Sequence, residues 1–252
     1  MSAFLHQALK ASSVIIATLQ RQDSSLYEKH TRGVGGDISI GADLLSERIY
    51  KEHLLELASI ESEESGFIQG AGSDYIVLDP LDGSDNFLSH IPYYGASLAL
   101  CDKDGKCKEA LIINFCSKEC VIKGVIEQDS QCFRFYLHEY ESKQDKAFVP
   151  LDSTPLSKCG IFEKAYSNHH IAKLLYDNGL KFRSLGASAI SMAKAYEVNF
   201  MLFMGEMRRF DNKAGLFLCE NLHHISSKNW TLISKDKHIF DMILNFLDNS
   251  KG

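Results

Sequence analysis

Asp79-Pro80-Leu81-Asp82-Gly83-Ser84 decides how this chain is read. The run follows an apolar, strand-like stretch, Tyr75-Ile76-Val77-Leu78, so two carboxylates leave a strand end three residues apart around a tight turn and can face one cavity. Pro80 stiffens the exit, and Gly83 lets the backbone approach a ligand closely. A helical turn opening at Ser84 or Asp85 would leave the Gly83 and Ser84 N–H groups pointing outward, ready for an anion. Working outward, Glu63 and Glu64 lie upstream and Asp211 far downstream, a set of carboxylates with no matching basic residue among them. Such a set holds hard divalent cations, which take oxygen ligands. The bland readings are an Asp-Gly turn at 79–83, solvated acidic surface at 61–64 and a plain helix cap at Asp211. The three segments together favour ligands, and metals beside an anion cradle suggest phosphate.

Glu63-Glu64-Ser65, then Asp79 through Phe87 with Pro92 behind it, then Phe210-Asp211-Asn212-Lys213-Ala214-Gly215 resemble the three signatures of the inositol monophosphatase family. That family is a branch of the metal-dependent, lithium-sensitive phosphatases that also includes fructose-1,6-bisphosphatases and bisphosphate nucleotidases. Weaker agreement extends from about Arg32 to Glu220. The resemblance implies an α+β, α/β fold, the layered α-β-α-β-α sandwich of the sugar phosphatases, and two or three Mg²⁺ ions. By resemblance, Glu63, Asp79 and the Leu81 carbonyl hold the first ion, and Asp79, Asp82 and Asp211 the second. Ser84 stands where the family has threonine, and with Asp43 it would help activate the water near Glu63. Gly83 and Ser84 would hold the phosphate.

The substrate side is matched less closely. Arg183, Gly186, Ala187 and Ser188 lie in a stretch that resembles the family's pocket lining, which could equally be an ordinary helix start. The glutamate that inositol-type members carry seven positions before the last metal aspartate is Met204 here, with Glu206 the nearest candidate. Arg32 replaces a lysine common near the lid, and Phe210 stands where tryptophan is usual. The implied activity is Mg²⁺-dependent hydrolysis of inositol monophosphate or a related small sugar or polyol phosphate. A 3'(2'),5'-bisphosphate nucleotidase or a fructose-1,6-bisphosphatase is the alternative, and a regulatory protein that kept the fold is a third. A homodimer and lithium inhibition are expected from the resemblance alone. For the chemistry, two metal ions can generate a nucleophile and neutralise a leaving alkoxide, which leaves little covalent work to the protein.

Composition sets wider bounds. With 252 residues, 45% of them hydrophobic, and four prolines, the chain can bury a core as one catalytic unit of two joined halves. Residues 1–150 would carry the metal motifs and an antiparallel sheet, and 151–252 an α/β half, with the join near 149–157. A net charge of -6 gives no global attraction to nucleic acid. No signal-peptide pattern opens the chain and no stretch approaches a membrane span, so the cytoplasm is the default expectation. Seven cysteines without a CxxC pair read as reduced thiols, mostly small core residues. His169-His170 and His223-His224 are adjacent pairs, not ligand spacing, and read as surface or core.

Periodicity predicts helices over 2–20 and 42–59, joined through a mobile Gly-rich connection at 32–37 that would act as a lid, and a short strand at 38–40. Strands are predicted over 95–101, 108–115, 119–126 and 131–138, with a hairpin turn at 102–106. The second half alternates: strands at 160–166, 182–185, 199–204 and 230–233, helices at 169–178 and 187–196, one starting at Asp211, and a last at 240–247. Alternation of this kind puts helices over a sheet.

Overall fold

Helix α1 (Ala3–Leu19) forms where Leu5, Leu9, Ser12, Ile16 and Leu19 recur at helical spacing, and those residues are its buried face. Its first turn is capped by Ser2, whose Oγ accepts from the Leu5 N–H at 3.1 Å. The computed structural model describes residues 2–124, 131–142, 148–151 and 157–249. Residues 125–126 of the strand predicted over 119–126 and 152–156 of the predicted join lie outside them.

After α1 come a hairpin of β1 (Lys29–Arg32) and β2 (Ile38–Ile40), then α2 (Gly41–Leu54), β3 (Ser59–Ser62), β4 (Gly66–Ile68), β5 (Tyr75–Asp82) and α3 (Ser84–Leu88). The chain continues through β6 (Gly95–Cys101), β7 (Cys107–Asn114), β8 (Glu119–Lys123), β9 (Cys132–Tyr136), α4 (Leu137–Glu141) and β10 (Val149–Pro150). The remaining elements are β11 (Gly160–Glu163), α5 (His169–Asp177), β12 (Phe182–Arg183), α6 (Ser188–Ala193), β13 (Met201–Met204), α7 (Arg209–Leu218), β14 (His223–Ser226), β15 (Trp230–Ser234) and α8 (Lys237–Asn249).

An eight-stranded sheet has the order β10-β9-β8-β7-β6-β5-β3-β4, and a five-stranded sheet the order β12-β11-β13-β15-β14. The first is antiparallel except for β3 beside β5; in the second, β11 runs parallel to both β12 and β13. Alternation along β5 sends Ile76 and Leu78 into a core shared with α1 and α2, and Val77 into a second core shared with α6 and α7. A third core packs the far face of the smaller sheet, through Phe162, Leu202 and Leu232, against α5 and α8. Helices, sheet, helices, sheet, helices: the expected five layers are present. Strands covered on both faces need no polar face, which is why β6 is buried along its whole length.

Two departures bear on the site. The helix predicted over 42–59 ends at Leu54, and Ser59–Ser62 is instead a strand parallel to β5, with Ile60 fully buried. That strand delivers Glu63 to the end of β5. The Gly-rich connection is fastened and does not hang free: Val34 N–H donates to the Glu64 carbonyl at 3.2 Å and Gly35 N–H to the Glu63 carbonyl at 2.8 Å. A Cβ on Gly35 would stand 2.3 Å from Glu63 Cγ, so only glycine permits this docking. His223-His224 fall on the exposed edge strand β14.

Candidate active site

Pro80 cannot donate to the β5–β6 ladder, and the register shifts between Asp79 and Asp82. The strand end is thereby turned, and the Leu81 N–H donates to Asp79 Oδ1 at 3.0 Å. Gly83 then takes a left-handed conformation, φ 91°, and α3 opens with no side chain capping it. Glu63 arrives from β3 and Asp211 from the first turn of α7, which begins at Arg209, two residues before the predicted start. Glu63, Asp79 and Asp211, all buried, each offer a carboxylate oxygen within 4.8 Å of the others. Among the described residues, buried Asp79 Oδ2 finds no hydrogen-bond partner. A buried bare oxygen on one of three convergent carboxylates fits a cation that supplies the missing partner.

Asp82 is placed differently from its neighbours. It accepts the Ser188 N–H on Oδ1 at 2.9 Å and the Ile190 N–H on Oδ2 at 3.0 Å, so it caps α6. It lies outside the cluster of three, though near enough to Asp211 to raise its own pKa by repulsion. Ser84 Oγ donates to Asp43 Oδ1 at 2.6 Å and lies 3.0 Å from the Leu81 carbonyl, while Asp43 Oδ2 takes the Ile40 N–H at 2.7 Å. Burial pushes Asp43 up to about 7, Asp82 to about 7 and Glu63 to about 8, and drives Asp79 well above the carboxylate range with help from Glu63 and Asp82.

One cation does stand among these acids, contrary to the reading of the motifs. Arg208 donates to Glu63, Asp211 and Asp37 from a position directly before α7. Its spacing to Asp211, three residues at a helix start, is the signal that could have found it. A cavity of about 920 Å³ opens over the acids, within the roughly 300–1,000 Å³ usual for small-molecule sites. Ser188, Gly186 and Glu206 line it with Arg32, whereas Arg183, Ala187 and Met204 do not. Met204 packs into the third core, and Arg183 donates to its neighbour's carbonyl at the surface. Two further lining residues had no sequence signal. Buried Glu163 accepts the Gly186 N–H at 2.9 Å and the Ser191 hydroxyl at 2.5 Å. Lys164, left-handed at φ 59°, holds its Nζ 4.4 Å above the Phe203 ring.

Five layers with buried carboxylates gathered at strand ends and a helix start form the α+β layered sandwich that solved structures share. The SuhB extragenic suppressor protein of Bartonella henselae aligns over 97% of this chain and 98% of its own, TM-score 0.73, at 19% identity. Leishmania major fructose-1,6-bisphosphatase aligns over 97% and 93%, TM-score 0.75, at 13% identity. At such identities the likeness is one of fold. The model of the inositol monophosphatase family matches residues 1–222, and the chain belongs to that family, which is metal-dependent. In sequence it is 30% identical over 118 residues to the Nus factor SuhB of Pseudomonas aeruginosa, and 39% identical over 70 residues to the fructose-1,6-bisphosphatase of Pyrococcus furiosus. Those matches cover 44% and 27% of this chain, and only 41% and 28% of the relatives' own lengths. Among the described residues, no helix is long and apolar enough to cross a membrane.

Proposed function

We infer that this chain is a Mg²⁺-dependent phosphomonoesterase acting on inositol monophosphate or a related small sugar or polyol phosphate. The observation that carries the reading is Asp79, whose Oδ2 is buried and bare and whose carboxylate converges with those of Glu63 and Asp211. Glu63, Asp79, Asp82, Asp211 and the Leu81 carbonyl would hold the metal. When bound, Mg²⁺ supplies Lewis acidity that acidifies water and offsets the charge building on the ester. The chain's own groups do the positioning. Gly83 and Ser84 N–H groups would hold the phosphate, aided by the uncapped first turn of α3. Ser84 Oγ, already donating to Asp43 Oδ1, would take a proton from water and pass one to that carboxylate. Asp43, raised to about 7 by burial, suits the accepting role near neutral pH. The backbone at Gly186 and Ser188, with Glu206, would meet the substrate hydroxyls. Seven free thiols agree with a reducing cytoplasm, and family membership supports a homodimer and lithium inhibition.

A second reading, a bisphosphatase of the fructose-1,6-bisphosphate or adenosine-bisphosphate kind, draws on Lys29, Arg32 and Lys164, three cations lining the same cavity. The name Nus factor borne by one relative raises a non-catalytic regulator as a third. Phosphate release from inositol-1-phosphate, glycerol phosphate, fructose-1,6-bisphosphate and 3'-phosphoadenosine 5'-phosphate, with Mg²⁺ and with chelator, separates them. Mg²⁺-dependent turnover led by the monophosphates is expected. Preference for a bisphosphate would move the protein to the second reading, and no release from any substrate to the third.

A further inference from the structure

Arg208 grips the acidic cluster from within. Its Nε donates to Asp211 Oδ2 at 2.9 Å and its Nη2 to Asp211 Oδ1 at 3.2 Å, a two-pronged contact, while Nη1 donates to Glu63 Oε1 and, at 2.8 Å, to Asp37 Oδ2. Two of the three convergent carboxylates are therefore turned toward one guanidinium, and the third, Asp79, keeps its bare buried oxygen beside them. Carboxylates buried this close together stay there only as protonated acids or beside a counter-charge, and the guanidinium supplies a counter-charge. We propose that Arg208 is a resident counter-cation, which holds Glu63 and Asp211 in the metal-free protein and must withdraw before those oxygens can ligate a divalent ion.

The proposal rests on the metal reading above and adds a competition to it. An oxygen lone pair directed at a guanidinium N–H is not free for an ion, and two positive centres repel within the same acidic nest. Arg208 has a way out: its side chain is 35% exposed, and Asp37, 84% exposed, already holds one prong of Nη1 outside the cluster. The apparent affinity for metal is then lowered by the fraction of molecules in which Arg208 still occupies the cluster.

The test uses the metal-free full chain as wild type, Arg208→Met and Arg208→Lys. Methionine keeps an apolar stem without the charge, and lysine keeps the charge without the fork. Mn²⁺ is titrated in and the free ion followed by electron paramagnetic resonance, with melting temperature as a second readout. Arg208→Met should bind Mn²⁺ about tenfold more tightly, with Arg208→Lys in between. Metal-free Arg208→Met should melt below wild type, and saturating Mn²⁺ should close that gap. Unchanged or weaker Mn²⁺ binding by folded Arg208→Met would overturn the proposal; if that variant does not fold, unchanged or weaker binding by Arg208→Lys does the same. Mn²⁺ bound by neither wild type nor variants would instead overturn the metal reading, and the competition with it.

Discussion

The two walls of the cavity differ in what fixes them. The near wall, the end of β5 with the start of α3, is set by local chain geometry: a proline that breaks a ladder, a left-handed glycine, and carboxylates spaced around one turn. The far wall, from β11 through α6 and β13 to Arg208, is set by contacts between segments distant in sequence. Glu163 organises Gly186 and Ser191, and Asp82 reaches across the cavity to cap α6. The near wall should therefore govern turnover on every substrate, and the far wall the choice among substrates.

The strongest way to break this contrast is a pair of isosteric changes on one strand end. Asp79→Asn and Asp82→Asn should each cut turnover by orders of magnitude, but they should move stability in opposite directions. Burial and its acidic neighbours hold Asp79 far above the carboxylate range, so folding at neutral pH must take up a proton there; Asp79→Asn lacks that cost, and the metal-free protein should melt higher. In Asp82→Asn an amide NH₂ must face one of the α6 N–H donors, and the unmatched donors cost about 1–3 kcal/mol. Charge repulsion alone would have made the two alike. Equal shifts in thermal denaturation would show that the α6 cap is not what separates them.

That pair also shows what could be read before the structure. The turn at 79–84 was legible because Pro, Gly and paired Asp each act on their own neighbours. The cap of α6 by Asp82 was not, since it joins positions 82 and 188 through a tertiary contact. The same holds for β3, whose Ser59-Ile60-Glu61-Ser62 continues a helical-looking stretch but is drawn into the sheet beside β5. Arg208 was hidden for another reason. Counting charges along the motifs places it outside them, while the first turn of α7 folds it back onto Asp211.

Ser84→Ala sharpens the near-wall side with a smaller effect. Loss of a proton-transferring hydroxyl should lower kcat by about 10²–10⁴-fold, equally on inositol-1-phosphate and glycerol phosphate, with Mn²⁺ affinity retained. A loss confined to one substrate would transfer Ser84 to the selective wall.

A titration probes the near wall without mutation. Asp43, Asp82 and Glu63 lie at about 7, 7 and 8 in the folded, metal-free protein, against about 4 in an unfolded chain. Between those limits the folded state binds more protons than the unfolded one, so metal-free stability is full below about pH 4 and is lost as pH rises through about 7 to 8. Melting temperature in chelator should fall across pH 5–8.5. Mg²⁺, which favours the ionised acids, should flatten the decline. A melting temperature that is flat or rising in chelator would mean the cluster is not held protonated by burial.

The smallest expected effect belongs to the far wall, at Glu206. Met204 stands where inositol-type members carry a glutamate and is turned into the third core, while Gly205, at φ 93°, reverses the chain and puts exposed Glu206 on the cavity rim. An exposed carboxylate that accepts one hydroxyl contributes about 1 kcal/mol, roughly fivefold in kcat/KM. Glu206→Ala should therefore weaken inositol-1-phosphate by that factor and leave an aryl phosphate, which has no polyol hydroxyls, unaffected. Broad selectivity among small monophosphates follows from the same geometry, because one rim contact discriminates less than a buried one. Equal losses on the polyol and aryl substrates would show that Glu206 shapes the turn after β13 and does not read the substrate. The far wall would then owe its selectivity to Glu163, Lys164 and the backbone at Gly186.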